Sequence, residues 1–445
     1  MSEQMTIEGL NGVAVRRREA GAGAGFRTYE VHQRERVGES TALVKPGQFL
    51  TSDFARDPYP LLAILREHYP SYRNWVTNDY WITRYDDVTS VFADDANFET
   101  RPRRWYYALP DGALPDIGED LGQRLPVLQS QAQWLDAQVG PTSARIVAEL
   151  AAQGGGDLAV DFAARLPLEL LVGWLALPED VIEPFVSNYL RMQQGHGWEG
   201  RAREAGRQSL HALIALLRPL VAQRRGSDAD DLISVIARED STRGGPAQAE
   251  DLVVTLLERD HETLHGGLAN LCYLLLMHPE QLALARSDRL LLKFSWLEML
   301  RHSAPVPFAQ RFAKHEVERF GKLLPEGALL ICAAAAANRD PRIFARAEEF
   351  DARRKDLCQR EPRGQFRADG LASGIAYGLG KPSKFPAVPE DRPRSLYAIT
   401  RDCAVIAVQT LLQAAPALRV AGVAEAPRCL RLQGMHCSRR LQVKF

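Results

Sequence analysis

The sequence predicts a mainly α protein with a smaller β-rich part, an α+β chain, and three observations carry that reading. Apolar residues recur at three- and four-residue steps almost without break from about residue 125 to 300. Inside that run, Asp251 to Met277 is the longest uninterrupted helical pattern, 27 residues without proline, and His278-Pro279 ends it. After Glu298 the pattern changes to short apolar runs parted by Gly and Pro turns, as in "RFAKHEVERFGKLLPEGALLICAAAAANRDP".

Taken in order, residues 1 to 45 hold "GAGAG" and many charges but little apolar periodicity. They are expected to form a flexible N-terminal extension, part of which could make an edge strand, ahead of a single domain over residues 46–445. "DYWITRYDDVTSVFAD" predicts a strand with Trp81, Thr83 and Tyr85 on one face, then a helix capped by Asp86 or Asp87. "RPRRWYYALPDGALPDIGEDLG" is punctuated by Gly and Pro and reads as a long loop. "DFAARLPLELLVGWLAL", "RQSLHALIALLRPLVAQRR" and "DDLISVIARED" are helical. Asp251 to Met277, apolar on most sides, should be one central helix of roughly 40 Å at 1.5 Å per residue. "RDCAVIAVQTLLQAAPALRV" returns to helix, and "CLRLQGMHCSRRLQVKF" finishes as strands.

Composition narrows the function classes. The 445 residues are 46% apolar and 25% charged, ordinary for a globular chain. A formal charge of −1 leaves no excess to attract nucleic acid or an anionic membrane. The basic runs Arg16-Arg17-Arg18 and Arg353-Arg354-Lys355 are short and read as solvated faces. With no signal pattern and no apolar run near the roughly 18 residues of a membrane span, a cytoplasmic location is expected. Six cysteines without C-x-x-C spacing then read as free thiols.

One short stretch bears directly on chemistry. In "LLERDHETLHGGLANL", His261-Glu262-Thr263-Leu264-His265 fits H-E-x-x-H, in which histidines one turn apart can hold zinc beside a general base. A third ligand is required, and Glu280 comes only after His278-Pro279 breaks the helix. The simpler reading leaves His265 packed on a core helix, with His261 and His265 as an alternative metal pair and no metal expected.

The ordered series of motifs resembles a bacterial cytochrome P-450 from about Asp57 to the end. Glu298 and Arg301 match that family's E-x-x-R pair, and "LPEGALLICAAAAANRDPRIF" matches the strand, helix and "NRDP" that follow it. "HETLHGGLANLCYLLLMHPEQ" resembles the long oxygen-binding helix. The resemblance implies the cytochrome P-450 fold and a structural role for Glu298 and Arg301. A three-residue step puts both on one helix face, where they can tie that helix to a neighbouring loop. The family completes this network with an arginine before the phenylalanine at 350; Glu349 stands there, leaving Arg353 or Arg354 to substitute.

The family's haem-binding positions are altered. The signature loop corresponds to "YGLGKPSKFP", which keeps Tyr377, Gly378 and Gly380 but has Pro382 for histidine and Lys384 for the cysteine ligand. On the oxygen side the family's Ala-Gly is replaced by Arg259 and Asp260, followed by His261 and the retained acid-alcohol pair Glu262-Thr263. Two charged side chains there are costly to bury unless paired with each other or with solvent. Of three propionate contacts, Arg311 alone is kept. These departures together lead to the expectation of no cofactor, with haem as the alternative.

Three functions follow from the resemblance. The first is a haem-free helper protein, in the manner of actinobacterial relatives that activate a glycosyltransferase in secondary metabolism. The second is a haem-independent enzyme that binds a hydrophobic small molecule and works through Asp260, His261, Glu262 or Lys384. The third is a haem monooxygenase with unusual axial ligation. No nucleic-acid or membrane partner is expected.

Overall fold

A computed structural model describes residues 6–9, 13–18, 28–33, 44–107, 117–195, 200–259, 261–356, 396–429 and 434–445. The N-terminal segment, expected to be a flexible extension, carries three short strands: β1 (Thr6–Gly9), β2 (Val13–Arg18) and β3 (Thr28–Gln33). They pair antiparallel in that order, with Ile7 opposite Val15 and Val15 opposite Val31. Alternation over Val13-Ala14-Val15-Arg16 suits a strand, and each strand finds its partner within the segment itself.

From Pro46 onward short helices and strands interleave. These are α1 (Ser52–Arg56), α2 (Tyr59–His68), β4 (Ser71–Asn74), β5 (Asp79–Ile82), α3 (Tyr85–Phe92) and β6 (Phe98–Glu99). Trp81 and Thr83 are buried, but β5 stops at Ile82 and Tyr85 already opens α3. The expected cap from Asp86 or Asp87 does not form. Asp340, distant in sequence, accepts from the Tyr85 backbone N–H at 3.2 Å, while Asp86 and Asp87 sit in the first turn and favour the positive end of the helix. The expected long loop is broken by a 3-10 turn over Arg103–Tyr107 and another over Leu121–Gln123.

The helical body follows with α4 (Leu125–Ala152), β7 (Gly155–Asp157), α5 (Arg165–Leu175), α6 (Glu179–Gln194), α7 (Gly200–Gln223) and α8 (Leu232–Ala237). Where one central helix was expected there are two, α9 (Ala249–Leu257) and α10 (His261–Met277). Next come α11 (Pro279–Ser287) and α12 (Arg289–His302). Leu268, Ala269, Leu271, Cys272 and Leu275 bury α10 in the main core. Gly267 is required by packing, since a Cβ there would lie 2.4 Å from the Trp296 ring of α12.

The β-rich part comprises β8 (Ala309–Ala313), β9 (Val317–Arg319), β10 (Lys322–Leu324) and β11 (Leu329–Cys332), then α13 (Ala334–Ala337). One sheet runs β4-β5-β11-β8-β6, with β5 and β11 parallel and the other pairs antiparallel. The chain closes with α14 (Leu396–Ala414), β12 (Arg419–Ala424), β13 (Arg428–Cys429), β14 (His436–Cys437) and β15 (Leu441–Lys444). β15 returns to pair with β12 and β7, joining the C-terminus to the middle of the chain.

Glu298 and Arg301 form a buried bidentate pair on α12, with both contacts at 2.7 Å. Arg301 also donates to the carbonyls of Asn338, Ala347 and Glu349 at 2.7 to 2.9 Å. Glu298 in turn accepts from the Asp351 N–H at 3.0 Å. Arg354 is the additional arginine near the network: its side chain is buried and lies 3.8 Å from Glu298, whereas Arg353 is exposed beside Asp351. The pair therefore ties α12 to the segment after α13. Glu298→Ala leaves a buried guanidinium without its counter-ion and is expected to lower stability by about 3–5 kcal/mol in urea unfolding.

Candidate functional site

The site is built where the central helix is interrupted. In a continuous helix the carbonyls of Leu256 and Leu257 would accept from residues 260 and 261. Instead the buried Gln193 amide of α6 donates to both, at 2.7 and 3.4 Å. The His261 N–H turns to the Arg259 carbonyl at 3.1 Å. Glu258 ends α9 and accepts from the backbone N–H groups of Arg103 and Arg104, at 2.9 and 3.0 Å. A side chain inserted into the helical ladder is a sufficient cause of such a break, and no proline or glycine is needed.

Arg103 joins the break to the following turn. Its guanidinium donates to Glu262 Oε2 at 2.7 Å and to the Gln193 side-chain oxygen. Glu262 and Thr263, adjacent in sequence, are both buried in the first turn of α10. The rings of His261 and His265 meet edge to face at 5.6 Å, and Tyr189 lies 5.7 Å from His261 on another side. His261 Nε2 is sealed from solvent and has no hydrogen-bond partner among the described residues. Burial pushes the His261 ring below the usual histidine range, and burial together with His261 lowers His265 to about 4.

Arg259 departs from expectation. It was expected to crowd the oxygen side together with Asp260, which lies outside the described residues. Its guanidinium stacks over Trp174 at 4.7 Å, so an aromatic face of α5 receives the charge. Burial still lowers its affinity for a proton. Arg259, Trp174, His261 and Cys403 line a cavity of about 90 Å³ between α4, α5, α10 and α14. It has room for about three water molecules.

The remaining residues singled out from the sequence are dispersed. Arg311 is on β8, opposite Leu330, with its guanidinium 4.5 Å over the Phe92 ring. Tyr377, Gly378, Gly380 and Lys384 lie outside the described residues. Among the described residues no group of three or more His, Cys, Asp or Glu side chains could hold a metal, so His261 and His265 have no third donor there. Also among them, no helix is long and apolar enough to cross a membrane. Sequence reasoning missed Arg103, Gln193, Glu258 and Trp174. The basic-aromatic run "RPRRWYY" was the one visible signal, and its acidic partners are far off in the chain.

No protein-family model matches the chain. It is 28% identical over 365 residues to 6-deoxyerythronolide B hydroxylase of Saccharopolyspora erythraea, covering 75% of this chain and 86% of that one. To cytochrome P450 monooxygenase PikC of Streptomyces venezuelae it is 30% identical over 325 residues, covering 68% and 77%. The chain belongs to the cytochrome P450 family. In fold it is similar to cytochrome P450 TbtJ1, with a TM-score of 0.67 at 21% identity, covering 91% of this chain and 99% of that one. P450BioI bound to an acyl carrier protein gives 0.66 at 22%, covering 89% and 100%.

Family membership corrects the expectation of a chain without a cofactor. Cytochromes P450 are haem proteins, and the relatives and fold neighbours point to haem. The substituted positions, taken together, do not outweigh a scaffold whose relatives and fold neighbours are cytochromes P450. The described residues suit the group on its oxygen side. The acid-alcohol pair is in place, and the one observed charge that would crowd it is stacked on Trp174. The buried His261 Nε2, which makes no hydrogen bond among the described residues, is also at hand. The 90 Å³ cavity lies well below the roughly 300–1,000 Å³ of cofactor-sized sites.

Two expectations test this geometry. Gln193→Leu removes the amide from the Leu256 and Leu257 carbonyls, so hydrogen exchange across 256–265 should slow as the ladder closes; unchanged exchange would mean another cause sets the break. His265 stays neutral in the fold down to about pH 4, whereas in the unfolded chain it takes up a proton near 6.5. Stability should therefore fall as pH drops from about 6.5 to 4, by up to roughly 1.4 kcal/mol per pH unit from this group. His265→Gln should flatten that part of the stability–pH curve relative to the parent.

Proposed function

We propose that the chain is a haem-dependent monooxygenase that oxidises a hydrophobic small molecule of secondary metabolism, with an axial ligand other than the family's signature-loop cysteine. The observation that carries this reading is the buried Glu262–Thr263 pair fixed by Arg103 at the interrupted helix. Support for the reaction class comes from relatives named as a hydroxylase, a monooxygenase and an epoxidase. Lys384 at the cysteine's place in the resemblance is the reason for assigning a different ligand.

Haem, when bound, supplies oxygen binding and activation. The chain supplies positioning and protons. Arg103 orients the Glu262 carboxylate through its 2.7 Å contact, and Glu262 is the group assigned to receive a proton. The proton then passes to the Thr263 hydroxyl on the adjacent residue, which presents it to the reaction space. Arg311, on the rigid sheet, is the cation assigned to a haem propionate. Tyr377, Gly378 and Gly380 match the family's signature loop in the resemblance, and that match is the ground for assigning them to the haem-binding part of the chain.

Protein contact also belongs to this reading in a general form, since one fold neighbour was solved with an acyl carrier protein bound. The glycosyltransferase-helper role rested on the absence of haem and falls with that premise. Purified protein supplied with haem should show a Soret band, and its reduced carbonyl complex should absorb away from the position typical of thiolate ligation. Failure to take up any haem would sink the proposal. With haem content unchanged, Glu262→Gln should slow product formation by about 100-fold, measured under saturating electron supply.

A further inference from the structure

A second cavity, of about 380 Å³, lies outside the interrupted helix. Its volume is within the range of small-molecule sites. The walls come from separate parts of the chain. The β4–β5 hairpin brings Arg73 and Tyr80, the 3-10 turn brings Trp105 and Tyr106, α7 brings Arg203, and β8 brings Phe312. Two guanidinium groups therefore share one cleft with four aromatic rings. The carboxylate on its wall, Glu326, is exposed.

We propose that this cleft binds a small aromatic carboxylate. Arginine is the cation suited to this task, because its planar fork pairs with both oxygens of a carboxylate and its flat face stacks on rings. Arg73 stands over the Tyr80 ring at 5.5 Å, and its polar neighbour is the neutral Asn78 side-chain oxygen at 3.5 Å. Among the described residues Arg73 makes no ion pair, so an incoming carboxylate displaces no acidic partner from it. The same stacking chemistry is already used beside the cleft. There the Arg101 guanidinium lies 4.2 Å from the Trp105 ring and 4.0 Å from the Phe312 ring. Aromatic walls take up the apolar body of a ligand whose acid end the arginines hold.

The cleft also adjoins the site described above. Trp105 and Tyr106 belong to the same short turn as Arg103 and Arg104, which grip Glu262 and Glu258. Tyr106 is fixed from the other side by its hydroxyl on the Gln310 side-chain oxygen. Binding in the cleft needs no haem, so this inference stands or falls apart from the proposed reaction.

Calorimetric titration of the 445-residue chain with 4-phenylbutyrate and with 4-phenylbutyramide tests it. The acid should bind at least about tenfold more tightly than the amide, because only the acid forms charge-assisted bonds. Arg73→Gln and Arg203→Gln should each weaken the acid by a similar factor and leave the amide unchanged. Arg73 is exposed, so its variant keeps the fold even if the Arg203 variant does not. Equal affinities for acid and amide, no binding of either, or an Arg73→Gln variant that binds the acid as the parent does would overturn the proposal.

Discussion

The Gln193 amide on the carbonyls of Leu256 and Leu257 sets the geometry of the whole site. Two backbone acceptors that would have continued a helix are taken by a side chain from α6. The chain then has to restart after three intervening residues, at His261. That restart turns Arg259 onto Trp174, brings His261 against Tyr189, and points Glu262 at Arg103. An unbroken helix would place the same residues 100° apart around one axis, with Arg259 on the helix face where the family keeps a small residue.

The charges around the break stabilise one another because each has a partner of defined geometry. Glu258 is met by two backbone N–H groups and the Arg104 guanidinium, and Glu262 by Arg103. Buried carboxylates left unpaired would take up protons or unfold the site. The Glu298–Arg301 pair follows the same logic elsewhere in the chain, where it joins α12 to the segment beyond α13 through three carbonyls. His261 is the exception, since its Nε2 is buried without a partner among the described residues. Such an atom costs stability, and its retention at the break is consistent with service to a bound group.

Periodicity made the helical body and the later strands legible, and the E-x-x-R spacing anticipated a buried pair on one face of α12. The boundaries that failed share a cause. The cap of α3 comes from Asp340, the break after α9 comes from Gln193, and the short turn at Arg103–Tyr107 is held by Glu258. Each is a hydrogen bond between residues far apart in sequence, where a reading of local pattern has no purchase. The cofactor shows the opposite failure. Substituted ligand positions are plain in the sequence, while the relationship that points to haem is carried by the motif order of the whole scaffold.

By itself, then, the sequence determined the class of the fold, the order of its elements and the adjacency of Glu262 and Thr263. These follow from repeating patterns and from spacing along one chain. Only the tertiary structure decided where the central helix stops, which cation holds Glu262, where the Arg259 charge goes, and that two arginines meet four aromatic rings in one cleft. Those outcomes depend on which distant groups compete for the same carbonyl, carboxylate or ring, and that competition is settled by packing in three dimensions.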